Sequence, residues 1–177
     1  SFVFADLAGY TALTEAHGDE DAAHVATRFH DLARAALPSG TALVKTIGDA
    51  VMAFFGAPFD QPDHAIRAVR AALLMQKKLE EVAHEIGMPQ GVRMRIGVNS
   101  GKVAAACIGS PKRLEYTVIG DTVNVASRLE AHVAEPGSVV IGQRTYELVK
   151  DHFRCTALPE RALKGKESLV QPYRVEP

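Results

Sequence analysis

Residues 42–55, Ala-Leu-Val-Lys-Thr-Ile-Gly-Asp-Ala-Val-Met-Ala-Phe-Phe, constrain the fold more than any other stretch. Two apolar, strand-forming runs are separated only by Gly48-Asp49, the pattern of a tight hairpin with glycine supplying the positive φ of a type II′ turn. Lys45 and Asp49 are its only charged residues. A solvated strand face and a turn aspartate would account for them, and so would a ligand near the apex.

The rest of the chain supplies elements for this hairpin to pack against. Phe2-Val3-Phe4-Ala5 is a short apolar strand ending on Asp6, and Leu7-Ala8-Gly9-Tyr10-Thr11 turns into a helix. That helix runs from about Thr11 to Leu37 with a break near Gly18, and Val25, Phe29, Leu32 and Ala36 form its apolar stripe. After the hairpin, a second helix extends from about Asp63 to Glu85, with Ile66, Val69, Leu73 and Gln76 facing a sheet. Val92 to Val98 alternates apolar and basic residues; Asn99-Ser100-Gly101 and the apolar run Val103 to Ile108 then predict a second hairpin. Strand, helix, strand, strand, helix, strand is the split βαβ, ferredoxin-like plan of the α+β class, with helices on one sheet face and the other face open.

A C-terminal α/β extension follows. It comprises a strand over Leu114–Ile119, a helix beginning at Gly120-Asp121 with Asp121 as N-cap, a strand over Ser138–Ile141, and a helix from Arg144 to Lys150. Strands near Phe153 and from Val170 to Val175 complete it, with the loop Leu163-Lys164-Gly165-Lys166 between them. Asn124 and Arg128, four apart, project from one helix face, where an amide and a guanidinium together suit a phosphoryl oxygen and a sugar. A hydrogen bond from Asn124 to a neighbouring loop would also explain an asparagine in a helix.

Length and charge bound the function. The 177 residues predict one domain with a substantial core, and 47% hydrophobic with 23% charged residues is ordinary globular usage. A net charge of −1 without a Lys/Arg block excludes an extended nucleic-acid surface. Cys107 and Cys155 lack CxxC spacing, which points away from zinc and disulfides and toward a reducing cytoplasm, and no apolar run reaches membrane-spanning length. The chain opens within a strand pattern, as a domain cut from a longer protein would, so further chain of unspecified kind is expected to flank it.

Four ordered motifs resemble the catalytic domains of class III adenylyl and guanylyl cyclases. They are Phe4-Ala5-Asp6-Leu7-Ala8-Gly9-Tyr10-Thr11, Lys45-Thr46-Ile47-Gly48-Asp49, Gly97-Val98-Asn99-Ser100-Gly101, and Gly120-Asp121-Thr122-Val123-Asn124-Val125-Ala126-Ser127-Arg128. The resemblance implies a cyclase making a cyclic nucleotide and pyrophosphate from a nucleoside triphosphate. It implies that Asp6 and Asp49, helped by the backbone carbonyl of Leu7, bind two Mg²⁺ or Mn²⁺ ions. Backbone N–H groups of the Gly9-Tyr10-Thr11 turn would wrap the phosphates, Asn124 would orient the ribose, Arg128 would stabilise the pentavalent α-phosphate, and Lys164 would meet the terminal phosphates. Lys45 and Thr117 occupy the base-reading positions. An ammonium can only donate, which suits adenine N1 and not the protonated guanine N1, so ATP is the expected substrate.

Guanylyl cyclases usually carry Glu and Cys at these two positions. Thr117 resembles a subgroup some of whose members respond to bicarbonate, which makes bicarbonate a candidate regulator. In the family one subunit supplies the metal carboxylates and the other the base, ribose and transition-state groups, implying a homodimer. A guanylyl cyclase and a non-catalytic nucleotide-binding or dimerisation module are the alternatives. Diguanylate cyclases and polymerase palms share the plan but not these motifs.

Overall fold

The computed structural model describes residues 1–38, 42–82, 92–110, 113–163 and 169–177; of 42–44, 47, 82, 105–110 and 113–119 only the backbone is described. β1 (Phe2–Ala8) leads through Gly9, in the left-handed region at φ 89°, into α1 (Tyr10–His17). Gly18, at φ 88°, separates α1 from α2 (Asp19–Ala36), whose first turn carries Asp19, Glu20 and Asp21 where the helix dipole favours acids. The four predicted stripe residues of α2 are all buried.

β2 (Ala42–Ile47) and β3 (Ala50–Phe55) form the expected hairpin, with Gly48 at φ 62° in its turn. α3 (His64–Val82) and β4 (Arg93–Asn99) complete the core. The remaining elements are β5 (Ala104–Ser110), β6 (Arg113–Ile119), α4 (Asp121–His132), β7 (Ser138–Gly142), α5 (Gln143–Val149), β8 (Cys155–Ala157) and β9 (Pro172–Val175). The main sheet runs β2-β3-β1-β4-β7-β9-β8. Its first four strands have the ferredoxin-like order and are antiparallel; β7 joins β4 in parallel and carries the C-terminal extension.

Three expectations are corrected. β4 does not turn back onto β5: it pairs with β1 and β7 along its two edges, so β5 instead pairs with β6 as a separate two-stranded sheet. The second sheet face is not open, because α4 lies on it. Side chains alternate along β1, so Val3, Ala5 and Leu7 join the core beneath α2 and α3, whereas Phe2 and Phe4 pack with Met52, Phe54 and Ala126 under α4. Gly120, not Asp121, caps α4; Asp121 stands in its first turn, again where an acid suits the dipole.

Gly97 of β4 permits the α4 contact. A Cβ there would lie 2.3 Å from the Ala126 carbonyl oxygen and 2.4 Å from the Glu130 nitrogen, so only glycine allows this approach of helix to strand. Among the described residues no helix is long and apolar enough to cross a membrane.

Candidate functional site

Asp6 is an even-numbered residue of β1 and shares the α4 side of the sheet with Phe2 and Phe4. Its ladder partners are Ala50 on β3 and Arg95 on β4. The first pairing places it beside Asp49 in the hairpin turn, and the second sets a guanidinium against it: Arg95 Nη2 donates to Asp6 Oδ2 at 2.7 Å. Arg95 Nε also faces Glu130 Oε1 of α4 at 3.4 Å, an ion pair without hydrogen-bond geometry. Asp6 and Glu130 thus flank one guanidinium, with Asp49 as a third carboxylate close to Asp6.

The electrostatics follow from this crowding. Burial raises the proton affinity of the Asp6 carboxyl above its ordinary value; Arg95 opposes the rise and Asp49 adds to it. Burial, reinforced by the Asp6 charge, pushes the Glu130 carboxyl up to about 7. An arrangement that resists its own ionisation is short of positive charge, and an all-oxygen carboxylate pair is the donor set that hard divalent cations take. Asp6 and Asp49 therefore fit the expected cations. Among the described residues no set of three or more His, Cys, Asp or Glu side chains forms a ready-made metal cage, so water and substrate oxygens would complete the coordination.

The other predicted residues distribute as follows. Leu7 is buried in the α2/α3 core. Gly9 precedes α1, Tyr10 opens it half-buried against the core, and Thr11 is exposed next to it. Lys45 is exposed on β2, opposite Met52. Thr117 lies on β6, with its backbone paired to Ala106. Lys164 lies outside the described residues.

Asn124 and Arg128 share one face of α4, Asn124 exposed and Arg128 half-buried. At 3.6 residues per turn, Asn124 and Arg128 lie about 120–160° around the helix from Ala126 and Glu130, the residues turned toward the sheet. One chain therefore joins Asp6 with Asp49, and Asn124 with Arg128, but points the two pairs in different directions.

Arg95 and Glu130 were not among the residues singled out from sequence. Arg95 reads locally as one of two alternating basic residues of a solvated strand, and only the β1–β4 register shows its partner. Glu130 follows Arg128 by two positions and resembles any helix-surface acid until Gly97 brings α4 down onto β4. The Gly97 motif was the available signal.

Residues 1–176 match the family model described as "Adenylate and Guanylate cyclase catalytic domain". Adenylate cyclase 1 of Rhizobium meliloti (strain 1021) is 31% identical over 179 residues, covering 98% of this chain and 27% of that protein. The chain thus spans about a quarter of this relative's length. The crystal structure of the adenylyl cyclase CyaB from P. aeruginosa superposes with a TM-score of 0.88 at 31% identity, covering 99% of this chain and 92% of that one. The guanylate cyclase domain of RhGC from Catenaria anguillulae, in complex with GTP, gives a TM-score of 0.85 at 30% identity, covering 99% and 94%.

Proposed function

Because this chain belongs to the adenylate and guanylate cyclase catalytic-domain family, we propose that it is the catalytic domain of an adenylyl cyclase. It converts ATP to 3′,5′-cyclic AMP and pyrophosphate at sites shared between the two chains of a homodimer. The observation that carries this reading is the division of the site within one chain. The Asp6–Asp49 pair lies between β1 and the β2–β3 turn, while Asn124 and Arg128 look away from it across α4. A second copy, related by a two-fold axis, can bring its Asn124–Arg128 face to the first copy's carboxylates and receive the same in return.

Bound Mg²⁺ or Mn²⁺ would supply Lewis-acid activation of the ribose 3′-oxygen and charge neutralisation for the triphosphate and the leaving pyrophosphate. Asp6 and Asp49 would hold these ions, with the Leu7 carbonyl oxygen contributing. Arg95, bonded to Asp6 and facing Glu130, positions the Asp6 carboxylate, and its planar fork would suit a phosphate oxygen brought against it. The Gly9–Thr11 turn offers backbone N–H groups at the start of α1, and Lys164 neutralises the terminal phosphates. From the other chain, Asn124 orients the ribose and Arg128 donates to the charge that develops on the α-phosphate.

Substrate choice rests on Lys45 and Thr117. The ammonium donates to adenine N1, and the threonine hydroxyl accepts from the N6 amine. Purified dimer given ATP and GTP in competition with Mn²⁺ should yield cyclic AMP, with little inhibition by excess GTP. Preferential cyclic GMP would reverse the base assignment, and binding without turnover would favour a nucleotide-binding module. Adding bicarbonate to the same assay tests the regulator suggested by Thr117.

A further inference from the structure

On the opposite face from the site, α3, the start of β7 and the end of β9 enclose a cavity of about 640 Å³. That volume lies in the range of small-molecule sites. Leu73, Val139 and Val175 provide apolar wall, and Gln76 provides a polar one. Gln76 is only 8% exposed, and neither its amide oxygen nor its amide nitrogen has a hydrogen-bond partner among the described residues. A buried primary amide left without partners costs about 1–3 kcal/mol, and native proteins satisfy nearly all such groups. A ligand occupying the cavity would satisfy both atoms together.

The lining also limits the chemistry of that ligand. Its charged groups are Lys77 and Arg174 against Glu80, Glu135 and Glu176, an excess of one carboxylate. Lys77 already faces Glu81 at 3.7 Å, and Arg174 faces Glu176 at 3.9 Å. Neither cation is therefore disposed to receive a phosphate or carboxylate. The Gln76 amide presents a donor and an acceptor side by side in one plane, which matches a group carrying an acceptor beside a donor, such as a carboxamide or a lactam.

We propose that this cavity is a binding site for an uncharged or cationic small molecule bearing a planar amide-type edge, which pairs with Gln76 while its apolar body rests on Leu73, Val139 and Val175. The site is separate from the carboxylate pair, yet structurally close to it through the sheet. Ser138 lines the cavity and is the ladder partner of Arg95, and the Gly137 N–H donates to the Met94 carbonyl at 2.8 Å. Occupancy thus bears on the strand that positions the guanidinium beside Asp6. The inference goes beyond the cyclase reading and does not require it.

The test is a titration of the isotope-labelled protein with nicotinamide, a neutral planar carboxamide, followed by amide NMR into the millimolar range. The expected result is a saturable shift of the Gln76 side-chain NH₂ signals and of the Gly137 and Ser138 backbone signals. It should be abolished in Gln76→Met, which keeps the volume but removes the amide. Leu74→Trp, at a rim position that is 40% exposed and so tolerant in folding terms, should also abolish it by filling the mouth. Absence of a saturable shift in the wild-type protein would overturn the proposal, as would an unchanged titration in the folded Leu74→Trp variant. Because the readout is binding, it is independent of whether the chain turns over ATP or GTP.

Discussion

Replacing Gly97 by alanine tests the placement of α4 directly. The added Cβ would meet the Ala126 carbonyl oxygen at 2.3 Å and the Glu130 nitrogen at 2.4 Å. Both are backbone atoms, so no side-chain rotation relieves the clash. Restoring ordinary van der Waals separation needs about 1 Å of movement, given carbon contact distances of about 3.5 Å. Gly97 sits in a central strand held by β1 and β7, so the helix must give way. Doing so loosens Ala126 and Leu129, both fully buried. Overpacking of this kind typically costs about 1–3 kcal/mol, and two backbone contacts put Gly97→Ala at the top of that range. For a domain of this length, 3 kcal/mol corresponds to a fall in Tm of about 6–12 °C. A 1 Å displacement of α4 also carries Asn124 and Arg128 with it, so turnover measured well below the melting temperature should fall on the order of 10²-fold. Gly101→Ala is the control: its Cβ meets the Thr122 hydroxyl at 2.6 Å, a side-chain group that can rotate at the expense of its bond to the Lys102 carbonyl, for about 1 kcal/mol. Thermal and urea unfolding of the two variants give the comparison. A Gly97→Ala protein with wild-type Tm and wild-type activity would refute the close helix–strand contact.

Three further outcomes are expected. Glu130 has its proton affinity raised in the folded state, so the fold holds a proton that the unfolded chain has released; metal-free stability should decline as pH rises from about 4.5 toward 7. Glu130→Gln should flatten that decline in chelator-treated samples, and an unchanged pH profile would show that Glu130 is not its source. Asp49→Asn removes a charge that opposes Asp6, so without metal its Tm should equal or exceed wild type, while the stabilisation that Mn²⁺ gives the wild-type protein should disappear; a variant still stabilised by Mn²⁺ would separate Asp49 from the cation site. Asp49→Ala and Arg128→Ala chains, each inactive alone, should recover part of the activity when mixed, because the heterodimer contains one intact site; no recovery from a demonstrated heterodimer would contradict a shared site.

The local signals in the sequence were sufficient wherever the structure is decided locally. Gly48 marks the β2–β3 turn, Gly18 the break between α1 and α2, and the stripe from Val25 to Ala36 the buried face of α2. They misled at Asn99-Ser100-Gly101, which has turn composition but follows a strand whose two edges are already taken by β1 and β7. Distant pairing overrides turn chemistry there. The same limit applies to the site. Asp6 and Asp49 each read locally as turn aspartates, and only the family resemblance named them as a pair; the link from Asp6 through Arg95 to Glu130 depends on register and helix docking. The motifs named two aspartates that the structure sets side by side; the groups that set their charge had no local signal.

The Asp6–Arg95 bond joins residues 89 positions apart, and this has a consequence for how the chain acquires its structure. During synthesis, Asp6 emerges long before the strand that supplies its guanidinium, and the β2–β3 hairpin is complete in the interval. Docking of β4 beside β1 then buries the Asp6 carboxylate and delivers its counter-charge in the same event. A chain arrested before β4 leaves Asp6 in water, where ionisation costs little. The closure of this long loop makes the pairing slow relative to the hairpin, so the charge balance of the site is established late, by the step that completes the ferredoxin-like core.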